Sequence, residues 1–161
     1  MFVVGGGGAG GEWNYPATQA GNGGGVKKQN VTLTLQNYSV TIGAGGEADC
    51  GSGTASTFAG EGVSVSASGG SGCSASTCTT GTLFNGVYWA GSGVPAVMWG
   101  GTPCTGSGGG GYGGVFGNGG HAGTANTGGG GGQSAQSKED HPWDYKCGGN
   151  GGSGIILIES P

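Results

Sequence analysis

The sequence predicts a mainly β chain in which short strands frame a sandwich of polyglycine II helices, with almost no α-helix. Three observations predict this. Glycine supplies 47 of 161 residues, in runs at 5–11, 21–25, 106–114, 128–132 and 148–154. The segments between the runs carry β-type alternation or short apolar stretches. Glycine interrupts most stretches that would place apolar residues three and four apart, so amphipathic helix has little foothold.

Residues 1–4, Met1-Phe2-Val3-Val4, form a short β-like run that stops at the first glycine tract. Residues 12–16 are turn-prone and hold Trp13 and Tyr15. Val31-Thr32-Leu33-Thr34-Leu35 and Tyr38-Ser39-Val40-Thr41-Ile42 both alternate with period two. With Gln36-Asn37 as the turn they predict a β-hairpin, its Val31, Leu33 and Leu35 facing a core. Region 43–80 is rich in Gly, Ser, Thr and Ala, with Val63 and Val65 marking a weak strand. Gly154-Ile155-Ile156-Leu157-Ile158-Glu159 is a continuous apolar run and predicts a closing strand buried on both faces. The whole of 1–161 reads as one glycine-rich domain with aromatic insertions at 83–104 and 133–147.

The glycine runs have no fixed three-residue repeat, which excludes collagen. An extended glycine chain still adopts the threefold polyproline-like helix, which has no internal hydrogen bonds. Every N–H and C=O must then find a neighbour, and without Cβ atoms the helices can lie close enough to bond laterally. A flexible linker is the competing reading for so much glycine. The four Trp, five Tyr and four Phe oppose it, since disordered chains are poor in aromatics.

Composition excludes several functions. There is no arginine, and the lysines are Lys27, Lys28, Lys138 and Lys146, with a net charge of -4. No basic stripe exists to neutralise phosphates, so nucleic acid is not an expected partner. Polybasic attachment to an anionic membrane fails on the same ground. No apolar run reaches the roughly 20 residues of a membrane span, and the N-terminal run is too short for a signal-peptide apolar region. The expectation is a chain already processed or released by another route.

The five cysteines, Cys50, Cys73, Cys78, Cys104 and Cys147, accompany a thin apolar inventory and point to disulfides in an oxidising environment. An odd count leaves one thiol over. Cys73 with Cys78, and Cys104 with Cys147, are the pairings considered. No Cys-x-x-Cys pair exists and the spacings of Cys147, His141 and the other cysteines match no standard zinc site, so no metal or cofactor is expected. His121 lies in a glycine stretch and reads as solvated. The glycine runs precede no helix and no correctly placed lysine, which voids a phosphate-loop reading. No nucleophile-elbow pattern occurs, and the expectation is a non-enzyme. Asn30-Val31-Thr32 and Asn37-Tyr38-Ser39 fit the glycosylation pattern, which is common by chance.

Tyr88, Trp89, Trp99, Trp143 and Tyr145 are the candidate binding residues. Trp and Tyr stack on sugar rings and dominate binding hot spots. The alternative is that they supply an aromatic core or a contact between subunits.

Val3-Val4 followed by four glycines, the run Tyr38-Ser39-Val40-Thr41-Ile42-Gly43-Ala44-Gly45-Gly46, Ser56-Thr57-Phe58 and the closing Gly151-Gly152-Ser153-Gly154-Ile155-Ile156-Leu157-Ile158 together resemble the glycine-rich domains of tailed-phage tail-fibre proteins and related viral surface proteins. The resemblance covers nearly the whole chain. It implies a virion-surface or extracellular protein whose glycine helices pack into a slab, with loops at one end touching a host receptor or glycan. It also implies assembly with other virion subunits or with further copies of itself. A purely structural subunit of a capsid, tube or filament is the other reading.

Overall fold

A computed structural model describes residues 1–12, 19–96, 106–115, 118–135 and 147–159. Eight strands are present among them and no α-helix: β1 (Phe2–Val4), β2 (Val26–Lys28), β3 (Ser39–Thr41), β4 (Ser56–Gly60), β5 (Val63–Ala67), β6 (Thr82–Phe84), β7 (Val87–Trp89) and β8 (Ile155–Leu157). They form three antiparallel sheets in the orders β2-β1-β8, β3-β4-β5 and β6-β7. The strands gather at one end of the molecule, and the glycine runs extend away from them.

The apolar core lies on the two faces of β1. Phe2 and Val4 point to one side, where Phe84 stacks on Phe2 with centroids 4.1 Å apart and Trp89 meets it edge-on at 6.0 Å. Val3 points to the other side and packs with Val65 and Ala67 of β5. All three β1 side chains are buried. Each contributes about 1.5–3 kcal/mol by leaving water. The β6-β7 hairpin turns at Asn85-Gly86, both at positive φ (51° and 75°), the backbone of a two-residue hairpin turn.

Beyond the strands, hydrogen bonds define the glycine architecture. Along 5–11 the donors Gly5, Gly8 and Gly11 reach Gly25, Asn22 and Gln19. Gly6 and Ala9 reach Thr54 and Gly51, and Gly7 and Gly10 reach Gly152 and Gly149, all at 2.8–3.1 Å. Every third residue thus meets the same neighbour, which is the signature of a threefold helix. The carbonyls turn to three further segments: Gly70 and Cys73 donate to Gly6 and Ala9, Gly131 and Ser134 to Gly8 and Gly11, and Gly46 to Gly7. Segment 5–11 is therefore surrounded by six others.

Segment 128–134 is a second such centre. Gly130 and Gln133 donate to Gly91 and Val94, Gly132 to His121, and Gly131 to Gly8. It accepts from Gly24 and Gly21, from Gly111 and Gly114, and from Gly152 and Gly149. The two centres share two neighbours, which closes the pattern into a three-layer sandwich. The middle layer is 51–54, 5–11, 128–134 and 108–114. One outer layer is 68–75, 19–25 and 90–94, and the other is 43–46, 148–154 and 118–124. Bonds also run between adjacent outer segments, such as Asn22 to Ser71, Gly93 to Gly21, Gly151 to Gly46 and Gly123 to Asn150.

This packing explains the composition. An added Cβ would meet a backbone oxygen at 2.1 Å from Gly7 (Gly129) and at 1.8 Å from Gly131 (Gly149). The close approach, rather than turn geometry, is what excludes side chains there.

Two expectations are corrected. Residues 31–35 form no strand, so the predicted hairpin does not exist. β3 pairs instead with β4, with Val40 opposite Phe58. Leu33 and Leu35 are exposed rather than in a core, and Val31 only packs on its margin. The Tyr38 ring stacks on Phe58 at 4.8 Å, and its hydroxyl accepts from the Thr34 N–H and the Gln36 side chain. The closing strand is found as β8, but it is half-buried rather than enclosed on both faces.

Candidate functional site

The topology divides the candidate residues between the two ends of the sandwich. At the end away from the strands, Gly11 donates to Gln19 O, Ser134 to Gly11 O, Gln133 to Val94 O, Gly114 to Gln133 O and Ala135 to Asn118 O, at 2.7–3.2 Å. Gly10 bonds Gly149 beside them. The chain leaves this layer into residues 13–18, 97–105, 116–117 and 136–146, all outside the described residues. Ala96 is fixed at its exit by a bond to the Gln133 side chain (3.1 Å), and the chain is next described at 106, nearer the strands. Three candidate residues, Trp99, Trp143 and Tyr145, belong to these segments and so lie outside the described residues, as does Cys104.

Tyr88 and Trp89 sit at the opposite end, on β7. Trp89 is partly buried against Phe2, and its indole N–H donates to Phe84 O at 3.3 Å. Tyr88 on the other face is exposed. The structure therefore does not bring these two together with the stems of the other insertions. The sequence signal that separates them is the Asn85-Gly86 pair, which makes 82–89 a hairpin of its own.

Disulfide pairing departs from both pairings considered. Cys50 bonds Cys73, with Cα atoms 4.9 Å apart, and Cys147 is a free, exposed thiol. Cys78 is also disulfide-bonded, to a partner outside the described residues. The physical reason is lateral order: Cys50 precedes segment 51–54 and Cys73 lies in 68–75, two segments packed side by side through Gly53 and Gly70. The bridge ties the loop at 47–50 to its neighbour at the end away from the strands.

Sequence reasoning did not single out two groupings. Tyr112 and His121 meet edge-to-face at 6.3 Å on the flank of the sandwich. Both residues are exposed. Their contact depends on which glycine segments lie side by side, which no local signal encodes. Glu12, Asp49 and Cys147 bring two carboxylates and a thiol within 4.8 Å of one another. They are solvent-accessible surface groups. Among the described residues no buried side-chain nitrogen or oxygen lacks a hydrogen-bond partner. At the strand end a cleft of about 400 Å³ is lined by Met1, Lys28, Asn30, Val31, Phe84 and Glu159, among others. The Lys28 ammonium lies 5.1 Å over the Phe84 ring. Asn30 and Asn37, the two sequon residues, are both exposed.

A family model described as a glycine-rich domain matches residues 1–161. The chain belongs to this glycine-rich domain family. No curated protein and no solved structure matches it. The glycine-rich domain thus accounts for the scaffold from end to end, and the disulfides fit an oxidising compartment. Among its described residues no helix is long and apolar enough to cross a membrane.

Proposed function

We propose that this glycine-rich domain is a non-enzymatic viral or phage surface protein, tail-fibre or adhesin-like, that binds a host-surface glycan or protein through aromatic loops. The observation that carries the reading is a shared exit: Glu12, Gln19, Ala96, Ala135 and Cys147, from which the chain enters or leaves the segments holding Trp13, Tyr15, Trp99, Trp143 and Tyr145, lie at one end of the sandwich. A hydrogen-bonded scaffold from one end of which several aromatic-bearing segments depart suits recognition, because loops carry function when a fixed frame positions them. The resemblance to tail-fibre domains supports the virion setting. The side-chain-poor interior supports a binding role over catalysis, since it offers few groups to hold a reacting atom in place.

The test substitutes Trp99→Ala, Trp143→Ala and Tyr145→Ala separately and measures binding to a glycan array and to intact bacterial cells, alongside thermal stability. Loss of binding with an unchanged melting temperature is the expected result. Binding that survives all three substitutions overturns it.

A second reading, a structural subunit of a capsid, tube or filament, is favoured by one observation. Leu35, Val40 and Ile42 are exposed together in β3 and on either side of it. In that case the tip variants assemble and bind as the parent does, and substitutions at Val40 or Ile42 abolish assembly.

A further inference from the structure

We propose that the free edge of β3 is an interface for a second copy of this chain, paired antiparallel about Thr41. In the order β3-β4-β5, β3 has a partner on one side only. The N–H of Gly43, just after the strand, turns inward to Ser56 Oγ (2.9 Å). Backbone groups alternate in direction along a strand, so those of Thr41 and Ser39 also face β4, and those of Val40 and Ile42 face outward. No backbone partner for these two is present on that side among the described residues.

The side chains lead to the same two residues. Val40 shares a sheet face with Phe58 and Val65 through the register Val40↔Phe58↔Val65. Phe58 and Val65 are buried at 3% and 2%, whereas Val40 is 56% exposed and Ile42 45%. The core face of the sheet therefore extends onto its edge strand, where it is exposed. Proteins ordinarily guard such an edge with lysine, proline or a bulge. This edge has none of these: no charged residue occurs between Lys28 and Glu47, and no proline either.

A second copy fits because the edge is complementary to itself. With a twofold axis at Thr41, Val40 of one chain faces Ile42 of the other in a hydrogen-bonded pair, and the reverse pair follows by symmetry. Both outward sets of N–H and C=O groups are then satisfied. Both exposed aliphatic side chains acquire an aliphatic cross-strand partner. The uncharged stretch brings no like charges together, although each chain carries a net charge of -4. The product is a continuous six-stranded sheet, β5-β4-β3 joined to its mate, at the strand end of the sandwich.

The test uses the full oxidised chain with Cys147→Ser, so that the free thiol takes no part. Sedimentation across micromolar concentrations is expected to give a dimer, and Ile42→Lys is expected to weaken it at least about tenfold. The register is read by two single cysteines. Thr41→Cys faces its own copy across a non-hydrogen-bonded pair, about 4.5 Å between Cα atoms, and forms an intermolecular disulfide. Ser39→Cys lies opposite residue 43 and does not. A monomer at every concentration overturns the proposal. So does a dimer indifferent to Ile42→Lys, or Ser39→Cys cross-linking as readily as Thr41→Cys.

Discussion

Gly10→Ala tests the packing at its most demanding point. Gly10 lies in the central segment, and a Cβ there would stand 2.1 Å from Gly132 O and 2.9 Å from Gly131 O. Ordinary carbon–oxygen contact requires the segments to separate by roughly 1 Å, enough to carry hydrogen bonds near 3 Å out of bonding range. The bonds at risk are Gly131 to Gly8 (2.9 Å) and Ser134 to Gly11 (3.2 Å). Each lost bond removes about 1 kcal/mol, and a buried group left unpaired adds about 1–3 kcal/mol. A destabilisation of about 3–5 kcal/mol follows. The neighbouring residue provides the contrast. Ala9 is fully buried in the same segment, its methyl already accommodated. Ala9→Gly removes that methyl and adds backbone freedom to the unfolded chain, for about 1–2 kcal/mol in all. Gly62→Ala is the exposed control: nothing lies within 4 Å of the new Cβ, and only its φ of +75° resists, by about 1–2 kcal/mol. Chemical denaturation of the oxidised protein, followed by circular dichroism, measures all three. A Gly10→Ala variant within about 1 kcal/mol of the parent refutes the close-packed arrangement.

Three other outcomes follow from the same structure. Cys50→Ser opens a bridge spanning 23 residues and lowers stability by about 3 kcal/mol by the loop-entropy relation, and the parent treated with reductant shifts as far or further. Ser56→Ala removes a hydroxyl that accepts from Gly43 N–H and donates to Val4 O (2.6 Å), both buried, and costs about 2–4 kcal/mol in the same denaturation assay. The Tyr38 phenol is held below its ordinary value, first by the Gln36 side chain and then by Thr34 donating to its oxygen, against opposing desolvation. Because its folded pKa is lowered, the linked stabilisation is present above the unfolded tyrosine range and is lost as pH falls through the folded value. Ultraviolet titration then finds one tyrosine ionising earlier in the folded protein than after denaturation, and Gln36→Ala narrows the difference.

Much of the frame was legible because its signals are local. The Phe2-Val3-Val4 run, the Val63-Ser64-Val65 alternation and the closing Ile155-Ile156-Leu157 all became strands. The need of glycine helices for lateral partners follows from their lack of internal bonds. The false hairpin has a physical cause. Val31-Thr32-Leu33-Thr34-Leu35 alternates, but β3 pairs instead with Ser56–Gly60, whose one large apolar residue, Phe58, anchors the register beneath Tyr38. Cysteine pairing was not legible, because it depends on the lateral order of segments that look alike in sequence. The same holds for Tyr112 beside His121. Among the candidate residues, Asn85-Gly86 is a hairpin signal that goes unused when 83–104 is read as one aromatic insertion; Trp89 ends that hairpin and its indole serves the Phe2 core.

The central claim is that the glycine runs form one hydrogen-bonded lattice, and amide hydrogen exchange of the oxidised protein tests it most directly. Every N–H from Gly5 to Gly11 has a backbone acceptor in a different segment, so that whole stretch is expected to exchange slowly. In the outer segment 118–124 the pattern should be interrupted. Gly120, His121, Gly123 and Thr124 donate to neighbours and are protected, while Gly119 and Ala122 have no backbone acceptor among the described residues and exchange fast. Exchange at unprotected rates throughout 5–11, or no difference between His121 and Ala122, would contradict the lattice.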